Sequence, residues 1–211
     1  MASNFGKTIQ VATFGASHGY AIGGIVEGLP CGHTIDIDEL QAFLKRRAPG
    51  QNQLQTQRKE ADIPEFLSGM VDGMLSGSPL AFMIRNTSQH SGDYNNLRDI
   101  PRPSHADFTA RMRYGDKVDM RGGGHFSARL TAPLCVAGGI ALQLLREKGI
   151  EIHGHLKQVG TIQDTPIDMV HPDMKALAKI ATETIAMVDA DKRSEVENLV
   201  MKLKKDGDST G

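Results

Sequence analysis

The 211 residues predict an α+β fold with antiparallel sheets. Three observations carry that prediction. Segments that alternate every second residue are interleaved with segments of helical period, so both element types are present. Several strand-like segments lie only a few residues apart, close enough to pair as hairpins. The dinucleotide fingerprint Gly-x-Gly-x-x-Gly does not follow a strand and the Walker pattern is missing, which argues against a doubly wound nucleotide-binding domain.

Taken in order, Thr8 to Phe14 places Ile9, Val11 and Thr13 on one side and reads as a strand. It runs through the turn Gly15-Ala-Ser-His-Gly19 into Ala21 to Val26, its hairpin partner. Asp36 followed by Glu39 is a capping box, and it opens a helix with Ile37, Leu40 and Leu44 on one face and Phe43 beside them. That helix closes on Lys45-Arg46-Arg47, cations suited to its dipole, before Ala48-Pro49-Gly50. Gln51 to Asp62 is polar and aperiodic; Leu80 to Ile84 alternates again. Asn86 to His105 is a long polar loop, of a length that in a compact domain is usually functional or disordered. Asp107 to Tyr114 predicts a short helix, and Leu130 to Lys148 a buried one with Gly138-Gly139 at its middle. Ile150, Ile152, Gly154 and Leu156 alternate with Glu151, His153 and His155, a half-exposed strand with both histidines toward solvent. Asp173 to Val188 and Asp191 to Lys205 predict two further helices, the second with Val196, Leu199, Val200 and Leu203 in helical register. Glycine and proline punctuation is even, no repeat is present, and residues 1–211 read as a single domain.

Composition narrows the function classes. The formal net charge is −1 with 23% charged residues, which argues against a general nucleic-acid or membrane binder. Aromatics are 5% and Trp is absent, so base-stacking platforms are not expected. No window approaches the roughly 20 apolar residues of a membrane span. Cys31 and Cys135 lie far apart without metal spacing, which suits a reducing cytoplasm and predicts neither a disulfide framework nor a metal site.

The densest chemistry lies at Arg121-Gly-Gly-Gly-His-Phe-Ser-Ala-Arg129. Three glycines strip a short loop of side chains, so its backbone can adopt positive φ and its N–H groups can approach a ligand. Arg121, His125, Ser127 and Arg129 surround it, and a helix follows, which together make an anion cradle. His18 sits between glycines at a strand end, where an imidazole can exchange protons near neutrality. Ser17 is adjacent, but neighbouring residues of a strand point to opposite faces, which discounts a Ser–His hydrolase. Arg46-Arg47 and Arg58-Lys59 bracket a polar loop and either hold anions or solvate a helix end. In Arg102-Pro-Ser-His105-Ala-Asp107 the prolines fix the loop, and Asp107 either orients the His105 ring or caps the next helix. Two histidines, several arginines and a glycine loop suit a polyanionic substrate and proton shuttling with electrostatic catalysis.

These segments, in this order, resemble the chorismate synthase family. The resemblance rests on Phe14 to Gly19, Arg46 to Gly50, Gln57 to Asp62, Leu67 to Gly69, Asn86 to Tyr94, Arg102 to Asp107, Tyr114-Gly115, Arg121 to Arg129 and Gly207 to Ser209. It implies helices sandwiched between antiparallel β-sheets and a homotetramer in the cytoplasm. It implies a carbon–oxygen lyase of the shikimate pathway, serving aromatic amino-acid biosynthesis. The implied reaction is the 1,4-anti elimination of phosphate from 5-enolpyruvylshikimate-3-phosphate to give chorismate, with reduced FMN and no net redox change. NADPH enters as a reductant of the flavin in some members. By the same resemblance His18 and His105 are catalytic, Arg47, Arg102 and Arg129 bind substrate, and His125, Phe126, Ser127 and Arg47 contact the flavin. No metal is implied. Ala16, Gln53, Ser104 and the pair His125-Phe126 depart from the commonest family residues, a Gly being frequent at 104. Family members also run well beyond 211 residues, so the chain is expected to be an N-terminal portion, incomplete at its C-terminus. Two alternatives stay open at this stage: an inactive fragment of that enzyme, or a non-catalytic phospholigand- or flavin-binding module.

Overall fold

The computed structural model describes residues 3–50, 54, 60–87 and 100–211. Gln53, Arg58, Lys59 and most of the polar loop after Asn86 lie outside the described residues. The fold is α+β with antiparallel sheets, as expected. The chain divides into two compact units, Met1–Pro49 with Gln57–Gly149, and Gly50–Thr56 with Ile150–Gly211.

The first unit opens with three strands, β1 (Asn4–Gly6), β2 (Gln10–Gly15) and β3 (Ala21–Glu27). Helix α1 (Ile37–Arg47) follows, then β4 (Pro64–Ser68), the small hairpin β5 (Met70–Val71) and β6 (Met74–Leu75), and β7 (Leu80–Arg85). Two helices complete the unit, α2 (Asp107–Tyr114) and α3 (Thr131–Arg146). The large sheet has the order β1-β2-β3-β7-β4, and each pair is antiparallel. Its inner face presents Val11, Ile22, Val26, Leu80, Phe82 and Ile84, all buried, to Leu40, Leu44, Val136 and Ile140 of the helices. Alternation in the strands and a three-to-four spacing in the helices therefore meet on one core.

Only the N-cap half of the α1 capping box is formed: Asp36 accepts the Glu39 N–H at 2.8 Å, whereas the Asp36 N–H goes to Gln143 Oε1 at 2.8 Å and the Glu39 carboxylate pairs with Arg146. Leu40 and Leu44 are buried, whereas Ile37, on the first turn, is 39% exposed. The two glycines of α3 have different reasons. A Cβ on Gly139 would lie 2.5 Å from Leu40 Cδ1 and 3.0 Å from the Phe43 ring, so α1 and α3 pack backbone-close there. A Cβ on Gly138 would meet nothing within 4 Å. One stretch, Ala128–Arg146, is long and apolar enough to cross a membrane, contrary to the expectation that no window approaches that length. Its apolar character has a local cause, since Ala132, Val136 and Ile140 are fully buried in the sheet–helix core.

The second unit holds the hairpin β8 (Gln158–Val159) and β9 (Ile162–Gln163), and helices α4 (Met174–Ile180) and α5 (Ala190–Asp206). Its core is Ile185, Met187 and Val196, with Leu54, Val159, Ile162 and Val200 packed around them. Two expectations are corrected here. Residues 150–156 are not a strand: Ile150, Ile152 and Leu156 are exposed, and His153 and His155 are the half-buried positions. The alternation is real, but the segment makes one backbone bond, from Leu156 N–H to the Ala186 carbonyl, in place of a ladder. Its histidines turn toward acids, His153 to Glu151 at 2.9 Å and His155 to Asp164 at 4.0 Å. The helix expected over 173–188 ends at Ile180. Beyond it, Ile185 and Met187 are both buried at a two-residue spacing, which an extended chain satisfies and a helix does not. Asp164 then accepts the Val188 and Asp189 N–H groups and fixes that extended exit.

Candidate active site

The β2–β3 turn carries the first functional pair. Ser17 is fully buried, and its hydroxyl donates to the Arg121 carbonyl at 3.2 Å. The same oxygen lies 3.1 Å from His18 Nδ1. A hydroxyl has one hydrogen, so with that hydrogen on Arg121 the Ser17 oxygen accepts from His18 Nδ1–H. Neighbouring side chains therefore do touch, contrary to the opposite-face expectation. The reason is that residues 17–18 form a turn and not a strand. A buried hydroxyl that holds a ring is a support and not an exposed nucleophile.

The glycine loop explains why the turn is so shaped. Gly122, Gly123 and Gly124 take φ of 60°, 98° and 56°, the positive values expected of them. A Cβ on Gly122 would fall on the His18 imidazole, and one on Gly124 would strike the Asp119 carbonyl. The Gly124 carbonyl also accepts the Ser17 N–H at 3.0 Å. Much of this loop is thus a bed for His18: its Arg121 and Gly124 carbonyls face the turn. Arg121 itself is drawn into a fork with Asp119, at 2.9 and 2.8 Å, which holds the Asp119 carboxyl below its usual range and the guanidinium above its own. His125 spans the loop, with Nδ1 2.9 Å from the Gly15 carbonyl and Nε2 2.7 Å from Ser3 Oγ. Phe126 packs tilted against Tyr114 at 6.1 Å, and Ser127 Oγ accepts the Arg129 N–H at 3.3 Å.

Arg47 and Arg129 meet on one carboxylate. Arg47 Nη1 donates to Asp62 Oδ2 at 2.5 Å, and Arg129 Nη1 pairs with Asp62 Oδ1. Arg47 Nε also reaches Thr131 Oγ1 at 3.2 Å. Arg129 is 4% exposed, with Nε on Asn86 Oδ1 at 3.1 Å and Nη2 3.8 Å from Glu60. Nη2 is buried and has no hydrogen-bond partner among the described residues. A buried guanidinium nitrogen without an acceptor is costly, and an anionic ligand is one group that would satisfy it. Asn86 then extends the cluster to the histidine turn, donating from Nδ2 to the Ala16 carbonyl at 3.1 Å and the Gly19 carbonyl at 2.8 Å.

Arg102 forms a fork with Asp107, Nε to Oδ2 at 2.8 Å and Nη2 to Oδ1 at 2.9 Å, and Nη2 reaches the Met120 carbonyl at 3.2 Å. Asp107 therefore serves neither of its expected roles. It accepts both prongs of the Arg102 fork and also takes the Arg102 N–H at 3.0 Å, while α2 begins without a side-chain cap. The Arg102 bond holds the Asp107 carboxyl below its usual range. His105 is exposed, with Nδ1 2.9 Å from the Pro103 carbonyl. The loop before it holds Ser104 at φ 61°, the left-handed conformation in which a glycine is unstrained.

The structure thus gathers His18, Arg47, Arg129 and the 125–127 segment around the β2–β3 turn, and Arg102 reaches the Met120 carbonyl at the head of the glycine loop. His105 lies on an exposed loop and interacts electrostatically with Asp107 of the Arg102 fork. Sequence reasoning missed Asp62, Glu60 and Asn86 as members. All three lay in stretches that carry the resemblance, 57–62 and 86–94, but nothing local in the sequence joins them to Arg129. The fit to a flavin is favourable at two points. Phe126 and the 48%-exposed Tyr114 offer aromatic surface, and the Ser127 hydroxyl keeps its hydrogen for a ligand acceptor. His125 has both ring nitrogens committed to the protein. Among the described residues no cluster of His, Cys, Asp and Glu is arranged to hold a metal ion.

As a class, this is an α+β protein whose polar centre joins an imidazole to buried guanidinium groups through a carboxylate and a carboxamide. The chain belongs to the chorismate synthase family, whose model matches residues 9–211. It is 44% identical over 211 residues to a chorismate synthase of Bacteroides thetaiotaomicron, covering 100% of this chain and 58% of that relative. It is 40% identical over 222 residues to one from Lancefieldella parvula, again covering 100% and 58%. One from Ralstonia pickettii is 43% identical over 210 residues, covering 99% of this chain and 55% of the relative. The chain therefore spans just over half the length of the curated relatives it matches. A crystal structure of chorismate synthase superposes with a TM-score of 0.68 at 24% identity, over 97% of this chain and 55% of the other, and shares the fold.

Proposed function

We propose that the chain acts in the elimination of phosphate from 5-enolpyruvylshikimate-3-phosphate to give chorismate, as a carbon–oxygen lyase of aromatic amino-acid biosynthesis. Family membership supports the reaction. The observation that carries the site is the Arg47–Asp62–Arg129 cluster joined through Asn86 to the His18 turn. In the reaction the carbon–oxygen bond to phosphate and one carbon–hydrogen bond break, a double bond forms, and phosphate and a proton leave. Substrate and product differ by no net electrons.

In this reading Arg47, Arg102 and Arg129 hold the phosphate and carboxylates, with forked donors suited to both. His18, with Nδ1 tied to Ser17, presents Nε2 as the group that gives a proton to the departing phosphate. His105 supplies or accepts a proton beside the flavin. Phe126, Tyr114, Ser127, His125 and Arg47 would hold the flavin, the aromatic pair excluding water and the Ser127 hydroxyl supplying a hydrogen-bond donor. Reduced FMN, when bound, supplies a transient electron that eases departure of the phosphate. NADPH as the flavin's reductant, a homotetrameric state and a cytoplasmic location are parts of the same reading. The family model runs across both compact units, which supports taking residues 1–211 as parts of one domain.

The test separates chemistry from binding. His18→Ala and His105→Ala should each abolish chorismate formation while the substrate still binds, by calorimetry, within a few-fold of the parent affinity. Loss of binding with either variant, or unchanged turnover, would refute the assignment of both histidines to proton transfer.

A further inference from the structure

Asn86 is the residue on which two halves of the site converge. It follows β7, and its own N–H donates to the Tyr20 carbonyl at 3.1 Å. Its Nδ2 carries two hydrogens, and both are used, one on the Ala16 carbonyl and one on the Gly19 carbonyl. Those two carbonyls flank Ser17 and His18. The amide therefore bridges the two ends of the turn, while the glycine loop holds Ser17 and lies against His18. The remaining oxygen, Oδ1, accepts Arg129 Nε at 3.1 Å. Asn86 is 8% exposed, so none of these bonds has much competition from water.

We infer that Asn86 is a positioning residue: it sets the place of the His18 ring and couples that ring to the guanidinium of Arg129. The inference rests on His18 acting as a proton donor, as proposed above. Its chemistry requires a carboxamide. An aspartate in the same shape would keep the acceptor for Arg129 but face two carbonyl oxygens without a donor. A leucine would keep bulk and lose all three bonds. An anion that draws on Arg129 changes the pull on Oδ1, and the same planar group holds the turn that carries the imidazole. Among the described residues, Asp62 and Glu60 lie on the Arg129 side of this amide, Asp119 interacts electrostatically with His18, and Ser17 is the neutral group against the ring.

The ring nitrogens of His18, seen by 15N-detected imidazole spectra and assigned by comparison with His18→Gln, report the coupling without any need for turnover. In the native chain, Arg129→Lys should move the His18 nitrogen signals. In Asn86→Ala the His18 signals should already be displaced, and adding Arg129→Lys should move them no further. Asn86→Asp, which preserves volume, should displace them as Asn86→Ala does, and serves if the alanine variant does not fold. In the turnover assay, folded Asn86 variants should lose on the order of 10- to 100-fold in kcat, as expected for a displaced proton donor, with KM within about threefold. Folded variants that keep the native His18 signals, or an Arg129→Lys shift that survives removal of the Asn86 amide, would overturn the inference. Should the native chain make no chorismate, the proposed activity fails by itself and the spectra still decide the coupling.

Discussion

Gly122 and His18 compete for one volume, and glycine is there because the imidazole took it. The sequence showed the glycines and the histidine but could not pair residues more than a hundred positions apart. Hence the loop read as a cradle for ligand backbone contacts, when at Gly122 and Gly124 the space is filled by the protein itself. Ser104 shows the reverse case, a residue whose strain only the backbone reveals. At φ 61° its Cβ is unfavourable, so Ser104→Gly should be neutral to about 1 kcal/mol stabilising, the relief being partly offset by the freer unfolded chain. Thermal unfolding of the two proteins checks this. Asp107 provides a pH signature. Arg102 holds its carboxyl below the ordinary value of 3.8, so the fork contributes stability that is full above that value and is lost as pH falls through the lowered one. Arg102→Gln should therefore be less stable than the parent at about pH 6, and the gap should narrow as pH falls below 3.8, by denaturant titration at each pH. A gap independent of pH would mean that the fork is not the source.

At the scale of elements, the helices with caps and the strands with neighbours were legible. Asp36 with Glu39 announced α1, and the alternation of β2, β3 and β7 announced the hairpins and the sheet face. The errors lie where tertiary partners overrule local pattern. Residues 150–156 alternate as a strand does but make no ladder, and residues 181–188 continue a helical pattern while Ile185 and Met187 are drawn into a core. The paired glycines of α3 make this distinction measurable. Gly138→Ala should stabilise by about 1 kcal/mol, because the helix gains propensity and the new methyl meets open space. Gly139→Val should destabilise by about 1–3 kcal/mol, because Leu40 and Phe43 occupy its place. Equal effects at the two positions would show that α1 and α3 do not approach as described.

For the whole molecule, the arrangement of basic and acidic groups fits the proposed anionic substrate to a chain of formal net charge −1. Its cations are not spread as a basic surface. Arg47, Arg102 and Arg129 are each held by carboxylates, which fixes their direction at the cost of some of their charge. Such a site prefers ligands that match the forks in geometry, and a diffuse polyanion such as nucleic acid gains little from it. The basic residues were plain in the sequence; their pairing with carboxylates was not, since nothing local to Asp62 joins it to Arg47 or Arg129, and Asp107 read as a partner of His105 or a helix cap. The central claim is that this site eliminates phosphate without net redox change. It is tested most directly by supplying the folded protein, without oxygen, with 5-enolpyruvylshikimate-3-phosphate and FMN, and measuring chorismate and phosphate together. The account predicts equal amounts of both with reduced FMN and neither with oxidised FMN. Folded protein that binds both ligands and yields no chorismate, or that consumes NADPH steadily without the substrate, would contradict it.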